Sequence, residues 1–296
     1  MSKKLMMNIK IEDAKCYLCD DGLSHPLKSN GKEITDGQFG YAVHPVICDC
    51  GLVYLNPRWS KEDYDIFYSY YYDELYRLEA KPDYRIVGVI KNMEIIWERI
   101  KDCIPMSTKH ILDIGCGSGH GLKLLRDKIQ GSMVYGIESS PECCETLQSE
   151  EIGGVLASTD VDSNWDDEFV NKFDLIVMRH VVEHFLNPIE SLKKISKTLT
   201  DDGFVYIATP NMMEPRVILR DYDNWIEYWF RVVHTYYYSK ETLFKTLLIE
   251  NMYPVQYGET ENEIWCLLSK KEHYLKISQN IFNKQIEILN KNTVYI

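Results

Sequence analysis

The stretch ILDIGCGSGHG, residues 111–121, decides the class of fold. An apolar run carries Asp113, glycines follow at 115, 117 and 119, and a helical pattern begins directly afterwards. Glycine lets the backbone turn sharply and approach a ligand, and a helix N-terminus offers amide donors to an anion. Neither Gly115 nor Gly117 is followed by a glycine at the sixth place, so the dinucleotide fingerprint G-x-G-x-x-G fails. A nicotinamide-dependent enzyme is therefore disfavoured.

From residue 110 onward, apolar strand patterns alternate with helical patterns. The strand patterns are HILDIG, SMVYGIES, a weak GVLAS, FDLIVM and GFVYIATP, and they are followed by a helix over about 239–250. YPVQYGE and EIWCLLSKK then read as two final strands that pair with each other, and 272–290 as a terminal helix. On that helix, Tyr274, Ile277, Ile281 and Ile288 fall on one side. The alternation predicts an α/β fold with a doubly wound, mostly parallel sheet.

A carboxylate ends the second of these strands, MVYGIE, at Glu138. At that position it can accept hydrogen bonds from both ribose hydroxyls of an adenosine. The glycine loop and the downstream acid together resemble the class I S-adenosylmethionine-dependent methyltransferases, whose seven-stranded Rossmann-like sheet fits the order of elements over 110–269. The resemblance implies a cofactor site with the loop facing the methionine part, Glu138 on the ribose and Asp160, or else Asp162, on the adenine. Its loop residues are Asp113, Gly115, Gly117 and Gly119.

The segment FDLIVMRHVVEHFLNP, 173–188, resembles the family's fourth strand and the chain that passes beneath the reactive methyl group. We assign Arg179 in it to the cofactor. Methyl transfer to a hydroxyl needs positioning and a base, and histidine titrates in the right range. The candidate bases are His180, His184 and His234. His184 belongs to an EH pair that is structural in the alternative interpretation, and a metal held by His180, His184 and Glu183 would have only a partial ligand set.

Residues 59–103 read as a tyrosine-rich helical connector that begins at a cap, Ser60. Helical spacing brings one side together: Tyr64, Phe67, Tyr68, Tyr71, Tyr72 and Leu75. We expect Tyr68 and Tyr72, with Tyr76, to form a lid over the cofactor. The alternative is that these rings only pack the connector onto the core.

Four of the nine cysteines lie in residues 1–58, a turn-rich segment that predicts a small β-rich module. Cys16 and Cys19 form a C-x2-C knuckle, while Cys48 and Cys50 are one residue closer than a ribbon usually has them. His44 or His25 could replace one thiolate. Four protein ligands leave no open position, so we expect a structural Zn²⁺. Four free thiols without metal are the alternative.

The stretch CGLVYLNPRWSKEDYDIFYSYYY, 50–72, resembles the end of the zinc-binding module that precedes the methyltransferase domain in a bacterial group associated with sugar and surface-polysaccharide biosynthesis. That resemblance implies a sugar acceptor, either nucleotide-linked or a glycan. The sugar C-methyltransferases of the group carry a further C-terminal domain that 296 residues leave no room for, which favours a hydroxyl acceptor. C- or N-methylation, an rRNA or tRNA methyltransferase, and a non-catalytic binding module stay open as alternatives.

Composition restricts the partners. A net charge of −12 opposes binding to phosphate backbones, so no nucleic acid partner is expected. There is no bilayer-length apolar run and no export signal, and an odd number of cysteines suits a reducing compartment, so we expect a cytoplasmic protein without membrane insertion. A homodimer is possible.

The predicted organisation is a zinc module at 1–58, the connector at 59–103, the methyltransferase domain at 104–271 with an acceptor-site insertion at 211–238, and a C-terminal helix at 272–296.

Overall fold

The computed structural model describes residues 9–19, 22–37, 39–72, 82–140, 143–145, 147, 156–158, 165–212, 229–260, 263–274, 277, 280–291 and 294–296. Asp160, Asp162 and Tyr76 lie outside these described residues, so the predictions made for them stay predictions. Within the described part, none of the helices combines the length and the apolarity needed to cross a bilayer.

The regular elements are numbered in chain order. The strands are β1 (Ile11–Glu12), β2 (Ser24–Pro26), β3 (Lys28–Ser29), β4 (Ile34–Thr35), β5 (Ala42–Val43), β6 (Pro45–Cys48), β7 (Val53–Leu55), β8 (Arg58–Trp59), β9 (His110–Ile114), β10 (Met133–Glu138), β11 (Leu156–Ser158), β12 (Phe173–Arg179), β13 (Leu199–Pro210), β14 (Tyr236–Tyr237), β15 (Tyr253–Glu259), β16 (Glu263–Ser269) and β17 (Val294–Tyr295). The α-helices are α1 (Lys61–Ile66), α2 (Pro82–Ile100), α3 (His120–Lys128), α4 (Pro188–Thr198), α5 (Lys240–Ile249) and α6 (Ile281–Lys291).

The central sheet has seven strands in the order β11-β10-β9-β12-β13-β16-β15. The pairings from β11 to β13 are parallel, and β16 is antiparallel to both of its neighbours, β13 and β15. The sheet is therefore mixed, with one strand reversed, and the two last strands pair with each other as their sequence predicted. The parallel order changes direction between β9 and β12, which is where ligands bind in open α/β sheets.

Helices cover both faces of the sheet, which is why its central strands β9, β10 and β12 are buried almost throughout. Leu112 and Ile114 pack into a core cluster with α4 and α5, whereas Ile111 packs into another with α2 and α3. Successive side chains of a strand point to opposite faces, so one apolar run serves two cores. The strongly apolar strand patterns of the sequence follow from this double burial.

The connector begins as predicted and then departs from an α-helix. Ser60 caps α1 by accepting a hydrogen bond from the Asp63 amide. A π-helix, Phe67–Tyr71, follows directly, so the helical connector widens here. The wider turn keeps Phe67 fully buried against Trp59 and Phe39. Single π-helical turns are frequent at functional sites because they re-aim neighbouring side chains.

The N-terminal segment does not complete its own sheet. Its strands β2, β6 and β7 form a four-stranded sheet whose fourth strand is β14, from the predicted acceptor-site insertion. The Tyr17 hydroxyl also lies 2.8 Å from that of Tyr238 and 3.0 Å from Thr246 Oγ1. Residues more than 200 positions apart in the chain thus share one hydrogen-bonded unit.

The C-terminal helix is shorter than predicted and buries a different side. Residues 272–274 are exposed and non-helical, with Tyr274 94% exposed, and α6 begins only at Ile281. Its buried residues are Ile281, Gln285 and Leu289, whereas Ile288 is only half-buried. They recur every four positions, and β17 beyond the helix pairs with β3. The inner face of α6 is therefore set by contact with the N-terminal segment.

Candidate active site

A cleft opens at the carboxyl ends of β9, β10 and β12. It encloses about 880 Å³ of empty space, including its open mouth. Six of the residues predicted from the sequence line it: Tyr68, Tyr72, Gly115, Glu138, His180 and His184. Three elements remote in sequence, the π-helix, the glycine loop and the chain after β12, thus meet at one place.

The glycine loop depends on backbone conformations that other residues avoid. Gly115, Gly117 and Gly119 all have positive φ, at 76°, 56° and 74°. A Cβ added to Gly115 would stand 2.7 Å from Cγ2 of Val181, which lines the same cleft. Gly119 is the N-cap of α3, so the loop leads directly into a helix N-terminus.

We expect Gly115→Ala to weaken cofactor binding by at least about tenfold and to destabilise the fold by roughly 1–2 kcal/mol, because alanine is strained at this φ. Titration calorimetry with S-adenosylhomocysteine and thermal melts measure the two effects. Gly88→Ala in α2 is the matched control, since nothing lies within 4 Å of its added Cβ and its φ is not positive. An unchanged affinity in Gly115→Ala would contradict the close approach of ligand to the loop.

Glu138 anchors the loop as well as facing the cleft. One carboxylate oxygen accepts a 2.8 Å hydrogen bond from the Gly117 amide, and the other accepts one of 2.8 Å from the Ser140 amide. The residue is only 8% exposed. Each carboxylate oxygen has a second acceptor site, so the predicted contacts with ribose hydroxyls remain compatible with these two bonds.

Asp113 lies beneath the loop and is not among the residues that line the cleft. Its side chain is 7% exposed, and burial, followed by the charge of Glu138, raises its pKa to about 8. Gly117 and Gly119 are likewise absent from the lining. In the structure, the loop thus meets the cleft through Gly115.

The two lid tyrosines lie next to each other on the π-helix side of the cleft. The rings of Tyr68 and Tyr72 are 5.3 Å apart, and Phe67 packs against both from below. The Tyr68 hydroxyl lies 3.1 Å from Nδ1 of His184. The tyrosine pair is therefore connected to the histidine side of the cleft.

His180 stands directly after β12 in a left-handed conformation, with φ at 55°. Its Nε2 is buried and lies 3.4 Å from Oε2 of Glu263, within ion-pair range but without hydrogen-bond alignment. The side chain as a whole is 36% exposed and lines the cleft. A positive φ at a non-glycine residue is uncommon and is typical of functional sites.

Arg179 is turned to the same carboxylate and does not line the cleft. Its Nε donates a 2.9 Å hydrogen bond to Glu263 Oε2, while Arg99 Nη1 donates one of 2.6 Å to Oε1. Burial alone would raise the pKa of Glu263, but its cationic neighbours and His180 outweigh burial and lower that pKa to about 2. The structure engages Nε of Arg179 in this ion-pair network, and the predicted contact of Arg179 with the cofactor stays a prediction.

We expect Glu263→Gln to destabilise the protein by about 3 kcal/mol, because two guanidinium groups lose a buried partner. The difference from wild type is fully present above pH 4.5, the ordinary pKa of glutamate, and disappears as the pH falls towards 2, because only the wild type loses a charge there. Urea unfolding at several pH values measures it. Glu259→Gln, which removes a more exposed ion pair with Lys240, should cost less than about 1 kcal/mol. Equal losses in both variants would contradict the special role of Glu263.

The remaining histidines form a group with Glu183. The rings of His184 and His234 are 4.9 Å apart, and each residue offers an atom within 4.8 Å of a Glu183 oxygen. Burial lowers the pKa of both imidazoles, that of His234 strongly, so both are neutral at pH 7. His184 lines the cleft, whereas His234 lines a smaller cavity behind it.

The four cysteines of the N-terminal segment converge as predicted. The Sγ atoms of Cys16 and Cys50 are 3.5 Å apart, those of Cys19 and Cys48 are 3.2 Å apart, and all four lie within 4.8 Å of one another. Neither proposed substitute belongs to the group: the His25 ring is hydrogen-bonded to Asp49 at 2.7 Å, and His44 lines a separate small cavity. The cluster lies outside the cleft lining.

Two residues of these sites escaped the sequence analysis. No sequence motif marks Glu263, because it is the first residue of β16 and its partners, Arg99 and Arg179, come from α2 and β12. Gly22 had a signal, since it follows the C-x2-C knuckle by three positions. A Cβ at Gly22 would stand 2.5 Å from Sγ of Cys19 and 2.7 Å from Sγ of Cys48, so the cluster can only close around glycine.

Sheet order, glycine loop and cleft together define an α/β enzyme that binds a nucleoside cofactor at its strand ends. A profile described as a methyltransferase domain matches residues 91–247, more than half of the chain, and the chain belongs to this family. The chain therefore carries an S-adenosylmethionine-dependent methyltransferase domain, with S-adenosylmethionine as the methyl donor.

Known proteins resemble parts of the chain. The ribosomal protein L11 methyltransferase of Thermosipho africanus (strain TCF52B) is 30% identical over 123 residues, which are 40% of this chain. The chain spans 44% of the length of that curated relative. The magnesium protoporphyrin IX methyltransferase of Synechocystis PCC 6803, solved with bound SAH, superposes with a TM-score of 0.53 at 13% identity, covering 72% of this chain and 100% of that one. The superposition with the Synechocystis methyltransferase shows that the two proteins share a fold.

Proposed function

We propose that this methyltransferase acts on a sugar, at a hydroxyl group, with a nucleotide-linked sugar or a surface glycan as acceptor. The observation that carries the proposal is the placement of His180. Its Nε2 is directed at Glu263 and buried, which leaves Nδ1 as the nitrogen available to an acceptor in the cleft. A hydroxyl acceptor needs such a base, whereas an acceptor that is already nucleophilic does not.

When bound, S-adenosylmethionine supplies a methyl group on an already activated sulfonium, so the chain has to position the acceptor and remove its proton. His180 takes the hydroxyl proton at Nδ1. The carboxylate of Glu263 stabilises the resulting imidazolium through Nε2, as a buried acid does beside a catalytic histidine. His184 and His234 remain alternative bases, His184 from the cleft and His234 from the cavity behind it.

The residues present fit the cofactor. Gly115 offers a cradle that any Cβ would obstruct, Glu138 offers acceptor positions to ribose hydroxyls, and Tyr68 with Tyr72 forms an aromatic wall over the same space. We retain Asp160 as the adenine-binding residue of this proposal. Sulfonium cations are attracted to carboxylates and aromatic faces, and both line this cleft.

The sugar as acceptor class is supported by the resemblance of residues 50–72 and by the tyrosines of the cleft, whose flat faces and hydroxyl tips suit a carbohydrate. The net charge of −12 disfavours an RNA acceptor. The two named relatives act, by their names, on a ribosomal protein and on a porphyrin, so they give no common acceptor. We place the protein in the cytoplasm, without membrane insertion, and a homodimer is compatible with this role.

We also propose that Cys16, Cys19, Cys48 and Cys50 hold a structural Zn²⁺. Four ligands at about 2.3 Å from a tetrahedral zinc stand roughly 3.8 Å from one another. The sulfur pairs Cys16–Cys50, Cys16–Cys19 and Cys19–Cys48 lie at 3.5, 3.7 and 3.2 Å, and the absence of a Cβ at Gly22 leaves room for the cluster. With four protein ligands, the zinc would have no catalytic position.

The test is incubation of the purified protein with S-adenosylmethionine and a panel of nucleotide sugars and glycans, with mass spectrometry of the products. A mass increase of one methyl group on a sugar, located at oxygen by fragmentation, supports the proposal. Ribosomal proteins and tRNA serve as comparison acceptors. Turnover on one of them but on no sugar would overturn the proposed acceptor and leave the family assignment intact.

A further inference from the structure

Glu183, His184 and His234 form a group of possible metal ligands beside the cleft. Glu183 is a carboxylate only 2% exposed. Its Oε2 accepts a 3.1 Å hydrogen bond from Thr209, but its Oε1 is buried and has no hydrogen-bond partner among the residues that the structure describes. Within the described ranges, no lysine or arginine forms an ion pair with it. A buried carboxylate without a charged partner is costly, and a cation would relieve that cost.

The nitrogen of His184 that faces this oxygen carries a lone pair. Nδ1 of His184 lies 2.8 Å from the carbonyl oxygen of Val233, which can only accept, so Nδ1 bears the proton and Nε2 does not. The Tyr68 hydroxyl oxygen, 3.1 Å from the same Nδ1, is then a second acceptor of this proton. Histidines that bind metals characteristically donate their other N–H to a carbonyl or carboxylate, which fixes the tautomer and the ring. His184 already has this arrangement.

The spacing also suits a shared ion. His184 Nε2 and Glu183 Oε1 are 3.9 Å apart, too far for a hydrogen bond, and the three donor atoms, including one of His234, all lie within 4.8 Å of one another. Two ligands of one zinc-like ion at about 2.1 Å stand roughly 3.4 Å apart, so small side-chain rotations close the set.

The two chain segments that carry these ligands are held in a fixed relation. Thr235 donates from its amide to the Glu183 carbonyl at 2.9 Å, and its hydroxyl donates to the carbonyl of Phe185 at 2.7 Å. Rigid backbone on both sides preorganises the ligands. The group stands between the cleft, which His184 lines, and a small cavity, which Glu183 and His234 line.

We propose that Glu183, His184 and His234 form a binding site for a divalent first-row transition metal ion, with Zn²⁺ the first to test. Two imidazoles and one carboxylate favour such ions over Mg²⁺ or Ca²⁺, which prefer oxygen ligands throughout. Three protein ligands leave at least one coordination position open. The sequence had suggested His180 as a partner of His184, but the three donor atoms that the structure groups come from His184, His234 and Glu183.

The experiment is a Co²⁺ titration of the full chain, followed by absorbance, with wild type compared to His234→Ala and to the isosteric Glu183→Gln. We expect wild type to bind one ion whose spectrum lacks thiolate charge-transfer bands, and both variants to bind that ion at least about 100-fold more weakly. His180→Ala, which removes the neighbouring cleft histidine outside the set, should bind it as wild type does. The absence of thiolate charge-transfer bands from the spectrum of this ion separates the site from the cysteine cluster.

Circular dichroism shows whether the variants fold. X-ray absorption of wild type loaded with Zn²⁺ gives a second readout that needs no variant: a nitrogen and oxygen shell beside any sulfur shell supports the site. A zinc spectrum with a pure sulfur shell overturns the proposal. It is also overturned if wild type binds no Co²⁺ through nitrogen and oxygen ligands up to millimolar Co²⁺. Both measurements are made without acceptor, so a failure of the metal site is distinguishable from a failure of the proposed sugar methylation.

Discussion

His180→Ala should lower kcat by about 10²- to 10⁴-fold and leave the affinity for S-adenosylhomocysteine within about threefold of wild type. The reason is that His180 is the cleft imidazole whose Nε2 faces the Glu263 carboxylate, so the variant loses the base but keeps the glycine loop and Glu138. Single-turnover kinetics with the acceptor found in the panel measures the chemical step, and calorimetry measures cofactor binding.

His273→Ala is the matched control, because this imidazole is exposed and outside the cleft lining. We expect it to retain full activity. If His180→Ala also keeps kcat within about threefold of wild type, His180 is not the base. A loss of kcat in His234→Ala would then assign proton removal to the smaller cavity behind the cleft.

Cys50→Ser should remove one Zn²⁺ per chain and unfold the N-terminal segment. Structural zinc contributes on the order of 10 kcal/mol to the folding of small zinc modules, so the loss of one ligand is expected to weaken both metal retention and the local fold. The unfolding should extend to β14 and α6, because β7 pairs with β14 and because an added Cβ at Gly51 would meet Ile281 at 2.6 Å.

Elemental analysis of the purified variant and hydrogen exchange measure the two effects. The amide of Cys48, bonded to the Leu52 carbonyl at 2.9 Å, is a direct probe of the turn that carries Cys50. His44→Ala is the control and should keep its zinc. Wild type without zinc, or zinc retained by Cys50→Ser but lost from His44→Ala, would contradict the four-cysteine site.

Much of the site could be predicted because the sequence concentrates it in short motifs. The loop around Gly115, the acid at Glu138 and the pair of histidines after β12 each follow a buried parallel strand, and parallel strands end at one edge of the sheet. The same argument could not locate Arg179 or His234. Their surroundings depend on Glu263 and on the Glu183 carboxylate, and no local pattern records which side chain will meet them.

The sequence by itself determined the alternation of strands and helices, the glycine loop and the two cysteine pairs, because these depend on local spacing, apolar periodicity and backbone conformation. Only the tertiary structure decided that β14 and α6 complete the N-terminal segment, that the connector widens into a π-helix, and that Glu263 gathers Arg99, Arg179 and His180. Such contacts join residues tens to hundreds of positions apart. They are selected by the shape and charge of surfaces that exist only once the chain has folded.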